Sequence, residues 1–200
     1  MKKFYITVCV IILLILGTIM AIYLSNPLVK KKKMGPLGFL TVCTKTLTKD
    51  ASSLKQIGEF SYKFRDTDKD LETYGEYLLA KAANLGDKEA MGRLGGIRTF
   101  YKNDEKKGIP LLTKAGELGY SKSNYLLGLY YISKEEDDKG LELLKKAGEQ
   151  GDKESEKLYK KMNGAIDYDK INKLFEEAKK EAIKTVDAEM DFAGFWFDKI

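Results

Sequence analysis

One phrase recurs at a near-constant interval: AKAANLGD at 80–87, TKAGELGY at 113–120 and KKAGEQGD at 145–152. Its alanines, Ala82, Ala115 and Ala147, stand 33 and 32 residues apart, and Ala178 in KLFEEAKKE follows 31 later. A period of this size marks a chain built from stacked supersecondary units, none of which can bury its apolar face alone. Leu78 and Leu79, Leu111 and Leu112, Leu143 and Leu144, and Leu174 with Phe175 precede the four alanines by four and three residues. Those offsets place each pair and its alanine on one helical face, so every unit holds a helix with a narrow apolar stripe.

A first helix precedes that one in each unit. Aligning LKQIGEF, GRLGGIR, YLLGLYY and KLYKKMN puts Gly58, Gly95 and Gly128 in one column, broken by Lys160. Ser53, Ala90, Ser123 and Ser155 form a second small-residue column five positions earlier. Glycine inside a helix costs roughly 1 kcal/mol relative to alanine, so its recurrence at one position points to close helix contact. Gly86, Gly119 and Gly151 then read as helix C-terminal caps, and Asp87 and Asp152 as N-caps of the next helix. Each copy of the phrase is therefore one helix stop followed by the next helix start.

The order small residue, Leu-Gly, aromatic, Lys-Ala and closing Gly, seen best in SNYLLGLYYISKEEDDKGLELLKKAGEQGD at 123–152, resembles the Sel-one-like repeat of the tetratricopeptide-like superfamily. The resemblance covers 50–184 in four units, 50–86, 87–119, 120–151 and 152–184, and is strongest in the second and third. It implies an all-α fold: an α-solenoid of about four helix-turn-helix repeats. Three departures stand out. The family's Gly-x-Gly-Val loop is missing, and the alanine that opens its second helix is Gly75, Gly108 and Gly140 here. Pro110 marks a delayed start of the second helix in the second unit.

The two ends extend this plan. After the short tail 1–3, FYITVCVIILLILGTIMAIYL at 4–24 carries no charge and, at about 1.5 Å per residue, reaches roughly 30 Å, enough to cross a bilayer as one helix. A cleaved signal peptide is the alternative, but neither GTIMA nor IYLSN offers a good cleavage site. Four lysines follow the span and two precede it, opposing terms that leave the repeat domain weakly favoured outside the cytoplasm. Residues 25–49 form a basic linker, with Cys43 alone in its apolar patch. At the other end, Ile171 to Val186 continue a helical stripe. Residues 185–200 then gather Phe192, Phe195, Trp196 and Phe197 as a C-terminal cap over the last repeat, or as an exposed anchor for a partner.

Charge and composition remove several function classes. The net charge of +5 lies in the first 33 residues, which hold six lysines and no acid. The rest is close to neutral and lacks the basic footprint of a nucleic-acid binder. There is no histidine, which takes away imidazole metal sites and Ser-His or Cys-His catalysis. DTDKD at 66–70 opens like a calcium loop but has Leu71 where glycine is required and Tyr77 where the closing glutamate would stand, so it reads as a solvated connection. EEDD at 135–138 reads as helix-start charge. SSLK at 52–55 matches S-x-x-K, but no S-D-N or K-T-G accompanies it. No cofactor, metal or catalytic residue is expected.

The resemblance implies a surface, lined by the first helices, that holds a protein or peptide. Carrying its inner-face positions across nominates Lys55, Tyr62, Lys122, Tyr125 and Lys157, with Trp196 from the cap as a further contact. The lysines are equally accounted for as ordinary surface residues. The leading expectation is a membrane-tethered scaffold for a protein partner. The alternatives are an immunity protein that neutralises a toxic enzyme and, further off, a Ser-Lys hydrolase acting through Ser52.

Overall fold

The computed structural model describes residues 2–30, 50–66, 68–162 and 164–183, with the side chains of residues 2–10, 13, 28, 182 and 183 outside that description. Most of the linker with Cys43, and the cap with Trp196, lie outside the described residues. Every regular element within them is helical. In chain order these are α1 (Lys2–Ser25), α2 (Pro27–Lys30), α3 (Ala51–Tyr62), α4 (Lys69–Asn84) and α5 (Lys88–Gly96), which a π-helical turn (Ile97–Tyr101) continues. There follow α6 (Glu105–Glu117), α7 (Ser121–Ile132), α8 (Asp137–Glu149), α9 (Lys153–Met162) and α10 (Tyr168–Ile183).

The recurrent phrase performs the same local act each time. Gly86, Gly119 and Gly151 have φ of 94°, 84° and 98°, the left-handed region that ends a helix at low steric cost. The next residue donates its backbone N–H to the alanine carbonyl: Asp87 to Ala82 at 3.1 Å, Tyr120 to Ala115 at 2.9 Å, Asp152 to Ala147 at 3.1 Å. That residue also begins the following helix. The Asp87 carboxylate accepts from the Ala90 N–H at 2.8 Å, and that of Asp152 from the Ser155 N–H at 3.3 Å. Tyr120 cannot cap in this way and makes no side-chain cap bond.

The closest packing lies within α3 and α4, α5 and α6, and α7 and α8, and each of these pairs touches the next. The glycine columns explain the tightness. Gly58 faces Gly75, Gly95 faces Gly108, and Gly128 faces Gly140. A Cβ on the second member of each pair would fall 2.8 Å from the carbonyl oxygen of the first. The three glycines that depart from the family pattern are thus the counterparts of the expected column. Two further expectations change. Pro110 does not delay α6, which starts at Glu105 behind the Asp104 cap and carries the proline inside; Lys106, whose carbonyl the proline leaves without a helical partner, is exposed and can be solvated.

The fourth expected pair also differs. Its crossing positions hold Lys160 and Ile171 rather than two glycines, so the hairpin cannot close as the others do. Helix α10 instead turns back and packs on α7, α5 and the π turn. Ile171 is fully buried there with Leu158 and Met162, while Phe175 meets Phe100 and Tyr130 edge-on at 5.5 and 6.0 Å.

Helix α1 ends against the first pair. Tyr23 and Val29 pack on the cluster of Leu54, Ile57, Leu71 and Leu78, and the Asn26 amide donates to the Tyr74 hydroxyl at 3.0 Å. Among the described residues no helix is long and apolar enough to cross a membrane. The side chains of α1 are described only from Ile11, while its backbone is helical from Lys2 to Ser25.

Candidate functional site

A groove of about 870 Å³ runs between α10 and the first helices α7 and α9. Its floor is Leu126, Leu158, Leu174 and Ala178, supplied by stripes of three helices that the fold-back of α10 brings together. Lys122, Tyr125 and Lys157, three of the nominated residues, line it. Lys122 pairs with Glu181 of α10 at 3.2 Å; both side chains are substantially exposed, so this contact contributes less than about 1 kcal/mol. The apolar burial of Ile171 and Phe175 is what holds α10 in place. The hydroxyl of half-buried Tyr125 is pushed up to about 12, first by burial and then by Glu154, Asp152, Glu177 and Glu181. The phenol is therefore a neutral hydrogen-bond donor throughout the physiological range.

The rim is mixed in charge. Asp152, Glu154, Glu177 and Glu181 alternate with Lys157, Lys161 and Lys170. The last two meet across the groove, where Lys161 holds the Lys170 ammonium below its usual value. Two adjacent cations over an apolar floor accept a carboxylate together with an apolar side chain, whereas a purely acidic peptide would meet four opposing carboxylates.

The two nominated residues of the first unit belong elsewhere. Lys55 is ion-paired with Glu89, a tie between α3 and α5, and its side chain is only 14% exposed. That pairing directs its ammonium to the Glu89 carboxylate, and Ser52, three residues earlier in the chain, is exposed. Tyr62 is fully buried and cannot meet a partner. Its ring lies edge-on to Tyr101, and Arg65 reaches both rings at 5.4 and 5.5 Å. Family position implied exposure for Tyr62, but the tight glycine crossing beside it draws the end of α3 into the core.

Sequence reasoning missed two buried polar groups. Glu72, 2% exposed, is held by Lys102 at 3.0 Å and Lys69 at 2.5 Å, and Lys102 also pairs with Glu76. Burial pushes the Glu72 carboxyl up, but the two ammonium groups outweigh it and hold the carboxyl below its ordinary value. Asn124, also buried, donates to the Gly116 carbonyl at 3.2 Å and to Gln150 at 2.9 Å, and Gln150 donates to that same carbonyl at 2.8 Å, tying α6, α7 and the end of α8. No sequence signal separated these residues from the many other charged and amide groups. The chain matches no family model, no curated protein and no solved structure.

Proposed function

We propose that this chain is a membrane-tethered scaffold whose helical hairpins, Sel-one-like units stacked as a solenoid, present the groove beside α10 to a protein partner. The observation that carries this reading is the meeting of Lys122, Tyr125 and Lys157 on one open groove with an apolar floor. A segment bearing apolar side chains and a carboxylate suits it: the side chains seat on Leu126, Leu158 and Leu174, and the carboxylate reaches Lys161 and Lys170. Support for the tether comes from α1. Its large aliphatic side chains with a described placement, from Ile11 and Ile12 through Leu14 and Ile19 to Leu24, are between 44% and 64% exposed, an arrangement that water penalises and lipid does not.

The test is capture by the full chain purified in mild detergent. The wild type is expected to retain one stoichiometric partner, and the Tyr125→Ala/Lys157→Glu variant to lose it with unchanged helicity. Loss of roughly tenfold or more in affinity follows from removing one half-buried aromatic and reversing one rim charge. Equal capture by both proteins would overturn the groove as the site.

A further inference from the structure

Beside the foot of α1, α4 carries Tyr74, half-buried against the first-pair cluster, and Tyr77, which lies outside that packing. Tyr74, Tyr77 and Lys81 are spaced by three and four residues and so form one stripe of α4. The rings of Tyr74 and Tyr77 stack with centroids 6.3 Å apart and an interplanar angle of 22°. Lys81 places its ammonium 4.9 Å from the Tyr77 ring centre. Yet Tyr77 is 51% exposed, a large aromatic face left toward solvent.

The stripe has a fixed height relative to α1. The Asn26 amide bonds the Tyr74 hydroxyl, and α2, which follows Asn26, packs on α4. Asn26 lies two residues beyond Leu24, the last residue of the apolar run, which is about 3 Å of helical rise. The headgroup zone extends about 5–7 Å beyond the hydrocarbon on each side of a bilayer. If α1 spans, the Tyr74 hydroxyl falls inside that zone, with the Tyr77 ring 6.3 Å from the Tyr74 ring and the Lys81 ammonium 4.9 Å from the Tyr77 ring.

We infer that the Tyr74–Tyr77–Lys81 stripe of α4 is a membrane-docking face that rests in the headgroup layer and holds the hairpin stack against the bilayer beside its anchor. The inference rests on the reading of α1 as a membrane tether. Its occupant is the bilayer interface, chosen by chemistry as well as by continuity with α1. Tyrosine has an apolar ring with a polar tip and is enriched at this depth. The lysine supplies a cation for lipid phosphate.

Tryptophan fluorescence in proteoliposomes tests it, because Trp196 is the sole tryptophan of the chain. In a Trp196→Phe background, single reporters are placed by Tyr77→Trp, by Ile15→Trp within α1 and by Thr113→Trp on an exposed position of α6. The probe is phosphatidylcholine brominated either high or low on its acyl chains, with circular dichroism to confirm that each variant keeps its helices. The expected result is quenching of the Tyr77→Trp reporter by the high-brominated lipid at least about twofold stronger than that of the Thr113→Trp reporter. The Ile15→Trp reporter is quenched more by the low-brominated lipid. Quenching of the Ile15→Trp reporter with the Tyr77→Trp reporter no more quenched than the Thr113→Trp one overturns the docking face and leaves the tether standing. An unquenched Ile15→Trp reporter overturns the tether and the docking face together.

Discussion

Replacing Lys102 with methionine is expected to cost about 1–2 kcal/mol of folding stability, less than the roughly 3–5 kcal/mol for breaking a fully buried pair because the Lys102 side chain is itself 32% exposed. The size follows from what is left behind: Glu72, 2% exposed, keeps Lys69 but loses the ammonium it shares with Glu76. Methionine fills much of the volume, so the loss is electrostatic. The pH dependence gives a second signature. In the wild type the Glu72 carboxyl is held below its ordinary value of 4.5, so its contribution is complete above that pH and is lost as acid brings the pH down through the depressed value. Lys102 is raised above its ordinary 10.5: burial acts the other way, and the hydrogen bonds to Glu76 and Glu72 prevail. Its contribution is therefore complete below 10.5 and is lost as pH rises through the elevated value. In the variant only Lys69 opposes the burial that pushes the Glu72 carboxyl up, so the carboxyl is less depressed and less stability is lost on acidification than in the wild type. Urea unfolding of the full chain across mildly acidic pH checks both parts. A loss under about 1 kcal/mol, or the same slope in both proteins, would contradict the account.

Gly75→Ala is expected to destabilise the fold by about 2–3 kcal/mol, although helix propensity alone would make alanine better by roughly 1 kcal/mol. The new Cβ would lie 2.7 Å from the Tyr62 backbone nitrogen and 2.8 Å from the Gly58 carbonyl oxygen, and backbone atoms cannot rotate away. Thermal unfolding should fall by roughly 5–10 °C. Gly164→Ala, where a Cβ meets nothing within 4 Å, serves as the control and should leave the midpoint unchanged. An unchanged midpoint for Gly75→Ala would mean that the first hairpin does not cross at its glycines.

The helical class was legible because the caps are local. A glycine at positive φ and the residue behind it are fixed by chemistry within six residues, and the sequence writes that chemistry three times. The column of Gly58, Gly95 and Gly128 announced a close contact, but not with what, since the facing column is only evident once α3 and α4 are packed. The course of α10 was hidden for a related reason. Its stripe of Ile171, Leu174, Phe175 and Ala178 suits either a fourth hairpin or a fold-back. The decision rests on Lys160 and Ile171, which block the glycine crossing. Tyr62 shows the limit of positional transfer: in the family's frame it faces a ligand, whereas here the neighbouring crossing buries it. The Glu72–Lys102–Glu76 triad had no local signature, because Lys102 comes from a different unit.

The groove as the partner site is tested most directly by photocrosslinking in the native membrane, with a benzophenone amino acid placed singly at Lys157 on the groove rim and at Thr113 on an exposed position of α6. The account predicts one discrete protein adduct from position 157 and none from position 113. Adducts from 113 alone, equal adducts from both, or none from either would contradict it.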